Sequence, residues 1–434
     1  MTLHEKTYGV PLKSIFNPNH GRLNSPFFVT LKLSIPPSLP KDAKGSYFAE
    51  HVYNRYLKST TEHVILTGRS MIVESRDNGD TWDVIRLSSV EKRRLYNCFT
   101  MDNGHHIVQA LPEKDDTYPS THTDVKKATL FLFDEHWNLL STDDQPTAQW
   151  HGRASIDQSG NTIMFAEYHY NPYKYIDPYK DDEKMWMPLM EPNRVFRSRD
   201  GGKTWNVVFE APRGFVRHLH TLQADPFLKG AWWLSSGDRS EESRVWRSDD
   251  DGDTWVDVTD THPDIDLPKM YTTRKQAAFR YTDIIITKDQ LIWGADDLLG
   301  DALESGPEFP QNLRAGSRIY STPKSNPLKI TELAYIGHPV RSIVDVGPAY
   351  IVITESNRQY YPLTPQVVAL FKDNMTQPIE IARIDNFQNK KTAFSSSKAS
   401  KSAVKGRFFS YRYPTDVFKD VRPCVLQWDI AFSD

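Results

Sequence analysis

The chain has little cysteine, no strong charge of either sign and no long apolar run. Cysteine occurs at Cys98 and Cys424 only, in 434 residues. Two positions so far apart exclude a disulfide framework, and both lie in strand-like runs that suit buried free thiols. The formal net charge is −3, so neither nucleic acid nor a membrane surface is implied as a partner. No stretch of roughly 18 apolar residues is present, which excludes a membrane-spanning helix. The start, from Met1 to Thr7, carries no apolar signal core. The reading is a cytoplasmic chain, although a secreted or periplasmic protein trimmed of its leader reads the same. Sustained helical periodicity is missing too, which leaves an all-β chain long enough for a substantial core.

What is present is a repeated string. Ser75-Arg76-Asp77-Asn78-Gly79-Asp80-Thr81-Trp82, Ser198-Arg199-Asp200-Gly201-Gly202-Lys203-Thr204-Trp205 and Ser248-Asp249-Asp250-Asp251-Gly252-Asp253-Thr254-Trp255 all read S-x-D-x-G-x-T-W. Ser and Asp side chains bond to nearby backbone N–H groups and close a tight turn. The Gly supplies a positive φ. The Trp is large enough to bury apolar area under the turn. Each string is flanked by apolar alternation, as in Met71-Ile72-Val73 before the first and Val84-Ile85 after it. Each is therefore the tip of a β-hairpin. A weaker copy stands at Phe133-Asp134-Glu135-His136-Trp137-Asn138-Leu139.

These strings resemble the Asp-box family, the bacterial neuraminidase repeats. The resemblance implies a β-propeller in which the hairpin joins the third and fourth strands of a blade. It also implies a structural, rim-side role for Asp77, Asp200 and Asp250. Trp205 to Trp255 spans one repeat, and period-reading along the chain yields seven units, with six or eight as alternatives. Residues 1–45 form an N-terminal segment whose run Phe27-Phe28-Val29-Thr30-Leu31-Lys32-Leu33 suits a ring-closing strand. Residues 46–434 form a single propeller domain. Residues 171–192, dense in Tyr, Pro, Lys and Asp, are an insertion in the third unit, and insertions in repeat folds map to one face. Residues 395–405 read as a Ser/Lys-rich mobile loop.

The first strand of each unit is expected to line the central channel. The starts of these strands are polar: His151 and Arg153, then Arg217, His218 and His220, then Arg280 and Tyr281, then Arg341. Residues two apart share one face of a strand, so His151 faces with Arg153 and His218 with His220. Arginine matches a carboxylate at two points, and histidine transfers protons near neutral pH. Tyr168, after Glu167, is a further proton carrier. The expected catalytic set is His151, His218, His220 and Tyr168. Arg153, Arg217, Arg280, Tyr281 and Arg341 are the expected substrate contacts. No metal is assigned and no cofactor is expected, with a structural calcium or a zinc as the alternative. Zinc on His218 and His220 is the minority alternative, and an H-x-H pair with no suitably spaced cysteine supports it weakly. Asp249-Asp250-Asp251 lacks the spacing and closing Glu of a calcium loop.

Asp-box propellers include sialidases, but the Arg-Ile-Pro motif of that group has no counterpart here. Phe165-Ala166-Glu167-Tyr168, Arg217-His218-Leu219-His220, Asp225-Pro226, Ser236-Gly237-Asp238 and Trp293-Gly294-Ala295-Asp296 are similar to another group. These are single-domain propellers that include rhamnose–glucuronate lyases and, more distantly, ulvan lyases. The resemblance covers roughly residues 60–320. It implies a polysaccharide or oligosaccharide lyase that cleaves beside a uronic acid, with an acidic saccharide as substrate. A sialidase-like glycoside hydrolase and a non-catalytic glycan- or protein-binding propeller are the alternatives.

Overall fold

The computed structural model describes residues 2–4, 16–18, 27–34, 53–55, 63–67, 71–77, 80–90, 93–112, 128–148, 150, 153–168, 191–214, 216–237, 242–259, 279–295, 318–336, 340–354, 366–384, 400–401, 407–412 and 424–432. Among these residues the strands form seven separate sheets, five of four strands and two of five. Numbered in chain order as blades, blade 1 runs from Tyr53–Arg55 to Asp83–Ile85 and blade 2 from Arg93–Thr100 to Leu139–Thr147. Blade 3 runs from Ile156–Ser159 to Asn206–Glu210 and blade 4 from His218–Ala224 to Val256–Asp257. Blade 5 runs from Ile284–Ile286 to Thr331–Tyr335 and blade 6 from Val340–Asp345 to Asn374–Ile384. Blade 7 begins at Ser400–Lys401, so the stretch read as a mobile loop contains a strand, paired with Phe408 and Phe409.

Successive first strands touch between blades 3 and 4, 5 and 6, 6 and 7, 7 and 1, and 1 and 2. This places the first strands on the inside of a ring, as expected for a propeller. The ring is joined by the N-terminal strand Phe27–Ser34, which pairs antiparallel with the final strand Cys424–Phe432 over eight positions. Thr2–His4 pairs in parallel with Phe27–Ser34, and Phe16–Pro18 adds to the outer edge of blade 6.

The core lies between blades. Middle strands such as Thr162–Ala166 and Trp232–Gly237 are buried throughout, because each faces a neighbouring blade on both sides. Side chains alternate across a strand, so Trp232 and Trp233 point to opposite faces. Trp232 packs with Met164 and Val195 of blade 3, while Trp233 packs with Trp293 and Tyr320 of blade 5. Each tryptophan thus anchors one side of blade 4 to its neighbour.

The repeated strings connect third to fourth strands in blades 1, 3 and 4. In each the carboxylate is held identically. Asp250 Oδ1 accepts the Thr254 N–H at 2.8 Å and the Ser248 hydroxyl at 2.9 Å, and Oδ2 accepts the Thr254 hydroxyl at 2.6 Å. Asp77 and Asp200 repeat these bonds with Thr81 and Thr204. The weaker copy keeps the geometry with Asn138 in place of Thr: its N–H and its side-chain amide both reach Asp134 at 2.8 Å. The glycines matter twice over. Gly252 has φ +83°, and a Cβ there would stand 2.5 Å from Met164 Cε of blade 3. Trp205 is buried and donates to Gly202 O at 3.1 Å, whereas Trp82 and Trp255 are half-buried. Arginines link the tips across blades: Arg197 reaches Asp253 at 2.6 Å, and Arg76 reaches Glu135 O at 2.8 Å.

Cys98 is a buried free thiol, and burial together with the Glu74 charge raises its pKa far above the usual thiol value. It is therefore an inert core residue.

Candidate functional site

The inner strand of blade 4 opens at His218. It is an antiparallel edge whose first residue pairs with Gly237, and a bulge between Leu219 and Thr221 breaks the ladder. Such a bulge redirects side chains locally. Here His218 and His220 stand with ring centroids 6.2 Å apart and planes 21° apart. Tyr168, from blade 3, lies flat on His218 at 4.1 Å and 4°, and is 6.2 Å from His220. Three of the residues singled out for proton transfer are therefore neighbours.

The chain leading to Tyr168 is rigidly held. Glu167 is fully buried. It forms a two-point pair with Arg194, at 2.8 and 2.9 Å, and also accepts the Ala148 N–H at 2.8 Å. Burial works to lower the Arg194 pKa, but the hydrogen bonds and charge of Glu167 outweigh it and hold the guanidinium above its ordinary value. Glu167 is thus a structural clamp beside Tyr168. The inner strand of blade 4 is pinned from the same side: Ser155 Oγ donates to His220 O at 2.7 Å, and Asn193 Nδ2 donates to Val216 O and Arg217 O at 3.1 Å.

One arginine neighbours the imidazoles in the chain and another approaches His220 in space. Arg217 precedes His218, and its N–H donates to Glu242 Oε2 at 3.2 Å, with Nε 3.8 Å from the same oxygen. Arg280 of blade 5 lies against Gly237. A Cβ on that glycine would be 3.4 Å from Arg280 Cγ and 3.3 Å from His220 Cε1. Glycine at this position therefore lets a guanidinium stem and an imidazole crowd the same spot. Sequence reasoning missed Glu242, a carboxylate only 1% exposed. It stands just before a third strand, and no spacing signal links it to Arg217. Gly237 was visible only as part of a motif.

The other expected site residues fall differently. Tyr281 is 1% exposed and packs with Phe279 and Trp293 in the layer between blades 4 and 5. Burial raises its pKa well above the ordinary phenol value, while the Ser235 and Thr221 hydroxyls pull it partly back. It packs as a core tyrosine, with its hydroxyl enclosed between the blades rather than at the surface. Arg341 begins blade 6, and its carbonyl accepts the Thr282 hydroxyl at 3.1 Å, two residues beyond Arg280. Arg153 lies in a 3₁₀ turn, Arg153–Ser155, ahead of the first strand of blade 3, so strand alternation does not pair it with His151. The Arg153 side chain and the whole of His151 lie outside the described residues, as does most of the 171–192 insertion.

Among the described residues no group of three His, Cys, Asp or Glu is placed to share a metal ion. A cavity of about 710 Å³ opens elsewhere, on the rim between blades 3 and 4, lined by Ser159, Thr162, Lys229, Asp250 and Asp251 among others. Its carboxylates are already engaged. Asp251 takes the Trp232 indole N–H at 3.0 Å and the Thr162 hydroxyl, and Asp250 is the hairpin carboxylate described above. Its polar lining holds blades 3 and 4 together, and the proton-transfer residues lie at the inner strand instead.

No family model and no curated protein matches the chain. Among solved structures, that of YCF48 bound to D1 peptide is similar over 97% of this chain and 99% of that one, at 12% identity and a TM-score of 0.52. The chain is an all-β propeller. The WD40 propeller domain of Doa1 is similar at 8% identity and a TM-score of 0.47, covering 92% of this chain and 96% of that one. The Neurospora crassa Pan2 WD40 domain is similar at 10% identity and a TM-score of 0.45, covering 88% and 89%. Identities this low extend no further than fold.

Proposed function

We propose that this propeller acts on an acidic poly- or oligosaccharide at the inner ends of blades 3 to 5, by β-elimination beside a uronic acid. The observation that carries the reading is the Tyr168–His218–His220 stack, with Arg280 against the glycine that His220 also meets and Arg217 next to His218 in the chain. In the reaction an arginine binds the uronate carboxylate and stabilises the charge that develops as the C5 proton leaves. His220 takes that proton. The C5–H electron pair becomes the C4–C5 double bond, the C4–O bond breaks, and His220 or Tyr168 protonates the departing glycosidic oxygen. Arg217 shares its charge with Glu242, and Arg280 supplies a second guanidinium on the blade 5 side. A reaction of this kind needs no paired carboxylates, unlike glycoside hydrolysis. Tyr281, enclosed between blades 4 and 5, also gives no support to a sialidase-type tyrosine nucleophile.

The test is incubation with a panel of uronic-acid polysaccharides, followed by the ultraviolet absorbance of the unsaturated product. Product formation that disappears in both His220→Ala and Arg280→Ala supports the reading. Absence of product from every uronate polymer removes it. One observation favours a second reading, a propeller that binds an acidic saccharide without cleaving it: His218 and His220 are 6% and 1% exposed. Binding by calorimetry without product would establish that version.

A further inference from the structure

Buried imidazoles cannot act on a ligand unless something moves, and the structure points to what moves. Tyr168 is half-exposed, and its ring lies flat over His218 at 4.1 Å. His218 is 6% exposed beneath it, and His220 is 1% exposed. The backbone is fixed up to Glu167, whose N–H donates to Arg194 O at 2.9 Å and whose carboxylate is clamped by Arg194 and Ala148. Tyr168 is the first residue beyond that anchor and lies outside any strand. A rotation at Tyr168 uncovers the imidazole without disturbing the strand Thr162–Ala166 or the Glu167–Arg194 pair.

We propose that Tyr168 is a displaceable cover, and that a ring-bearing ligand takes its place on the face of His218. An imidazole face vacated by a phenol is flat, apolar and about one ring wide. A pyranose presents a matching face of C–H groups, and its ring oxygen and hydroxyls project sideways toward Arg217 and Arg280. The cover keeps water and small ions from the imidazole pair until a ligand able to stack arrives, which is a form of selectivity by ring exchange. This deepens the reading above and rests on it for the choice of a uronate. The cover itself stands on the geometry alone.

Carbethoxylation of His218 and His220, read peptide by peptide by mass spectrometry, tests the cover without reference to catalysis. The wild type is compared with Tyr168→Phe, Tyr168→Ala and Tyr168→Leu, each checked for fold by circular dichroism. The ring provides the shielding, so Tyr168→Phe reacts at the wild-type rate. Tyr168→Ala and Tyr168→Leu modify His218 roughly three- to tenfold faster, the factor expected for losing one aromatic stack from the cost of local opening. Glucuronic acid added to Tyr168→Ala slows the reaction again by filling the vacated place. Equal rates in all four proteins overturn the cover. Exposure of His218 that glucuronic acid does not reverse overturns the exchange of one ring for another. Failure of the elimination reading alone shows as missing product with this accessibility pattern intact.

Discussion

Gly237 stands across the ladder from His218, and its missing Cβ is what lets His220 and Arg280 approach the same point. An added methyl would meet Ser243 Oγ at 3.2 Å, His220 Cε1 at 3.3 Å and Arg280 Cγ at 3.4 Å. Each neighbour must give way by a few tenths of an ångström. Gly237→Ala is therefore expected to cost about 1 kcal/mol in urea denaturation, at the lower end of the range for overpacking. Its effect on saccharide turnover or binding should be far larger than its effect on stability. A variant with unchanged turnover would separate the Gly237 contacts from function.

The glycine of the blade 4 hairpin makes a sharper comparison. Gly252 and Gly160 both have positive φ, +83° and +59°, but a Cβ on Gly160 meets nothing within 4 Å. A Cβ on Gly252 strikes Met164 of the neighbouring blade. Gly160→Ala should cost about 1 kcal/mol from backbone strain alone. Gly252→Ala should add an overpacking cost of about 1–3 kcal/mol to that. Matched denaturation curves decide the point, and equal losses would show that blade-to-blade packing at the hairpin is slack.

These hairpins were legible in the sequence because their residues are dictated locally. A positive φ calls for Gly, and a carboxylate that accepts two bonds from the residue four positions on calls for Asp and Thr. Even the Phe133–Leu139 copy keeps the bonds, since Asn138 supplies an N–H and an amide where Thr supplies an N–H and a hydroxyl. The site was legible only where the backbone is regular. His218 and His220 lie in a strand and do face together, although a bulge follows Leu219. Arg153 was misplaced because the chain turns there instead of extending. Tyr281 reads the same in the sequence whether its ring faces a ligand or the layer between two blades, and the structure encloses it in that layer. Glu242 depends on tertiary proximity, which no spacing encodes.

Acid sensitivity follows from the same carboxylates. The Thr254 hydroxyl and N–H, with Ser248, hold the Asp250 pKa down at about 2, against an ordinary 3.8. Asp77, Asp134 and Asp200 are lowered too, each against an opposing effect of burial. A depressed folded-state value contributes stability that is complete above the unfolded pKa and is lost as pH falls through the folded one. Stability should therefore decline from about pH 4 toward pH 2. Asp250→Asn should be less stable at neutral pH and show a shallower decline, measured as thermal midpoint against pH. A parallel decline in variant and wild type would place the titration elsewhere.

Closure of the ring makes a different demand. Phe27–Ser34 supplies the strand next to Cys424–Phe432, with eight paired positions, and Thr2–His4 pairs on its far side. Removing residues 1–34 strips blade 7 of an edge and exposes the backbone of the final strand to intermolecular pairing. Removing residues 1–15 leaves both Phe16–Pro18 and Phe27–Ser34 in place. The longer truncation should lower the thermal midpoint more than any single substitution named here and should promote aggregation in light scattering. The shorter one should keep a cooperative transition.

Glu167 tests whether the segment before Tyr168 is scaffold or chemistry. It is fully buried, pairs with Arg194 at two points and accepts the Ala148 N–H. Glu167→Ala leaves a half-buried guanidinium without its counter-charge, a change that costs about 3 kcal/mol, the low end for breaking a buried pair. The double substitution Glu167→Met with Arg194→Leu removes both charges and should recover much of that loss, because a buried pair returns little over a well-packed apolar one. If Glu167 acted on substrate, the double variant would be stable and inactive. If it only fixes the chain ahead of Tyr168, the double variant regains stability and turnover together, and turnover measured beside the urea midpoint separates the two. The geometry favours the second outcome, since both oxygens of the carboxylate accept bonds from the scaffold, Oε1 from Ala148 and Arg194 and Oε2 from Arg194.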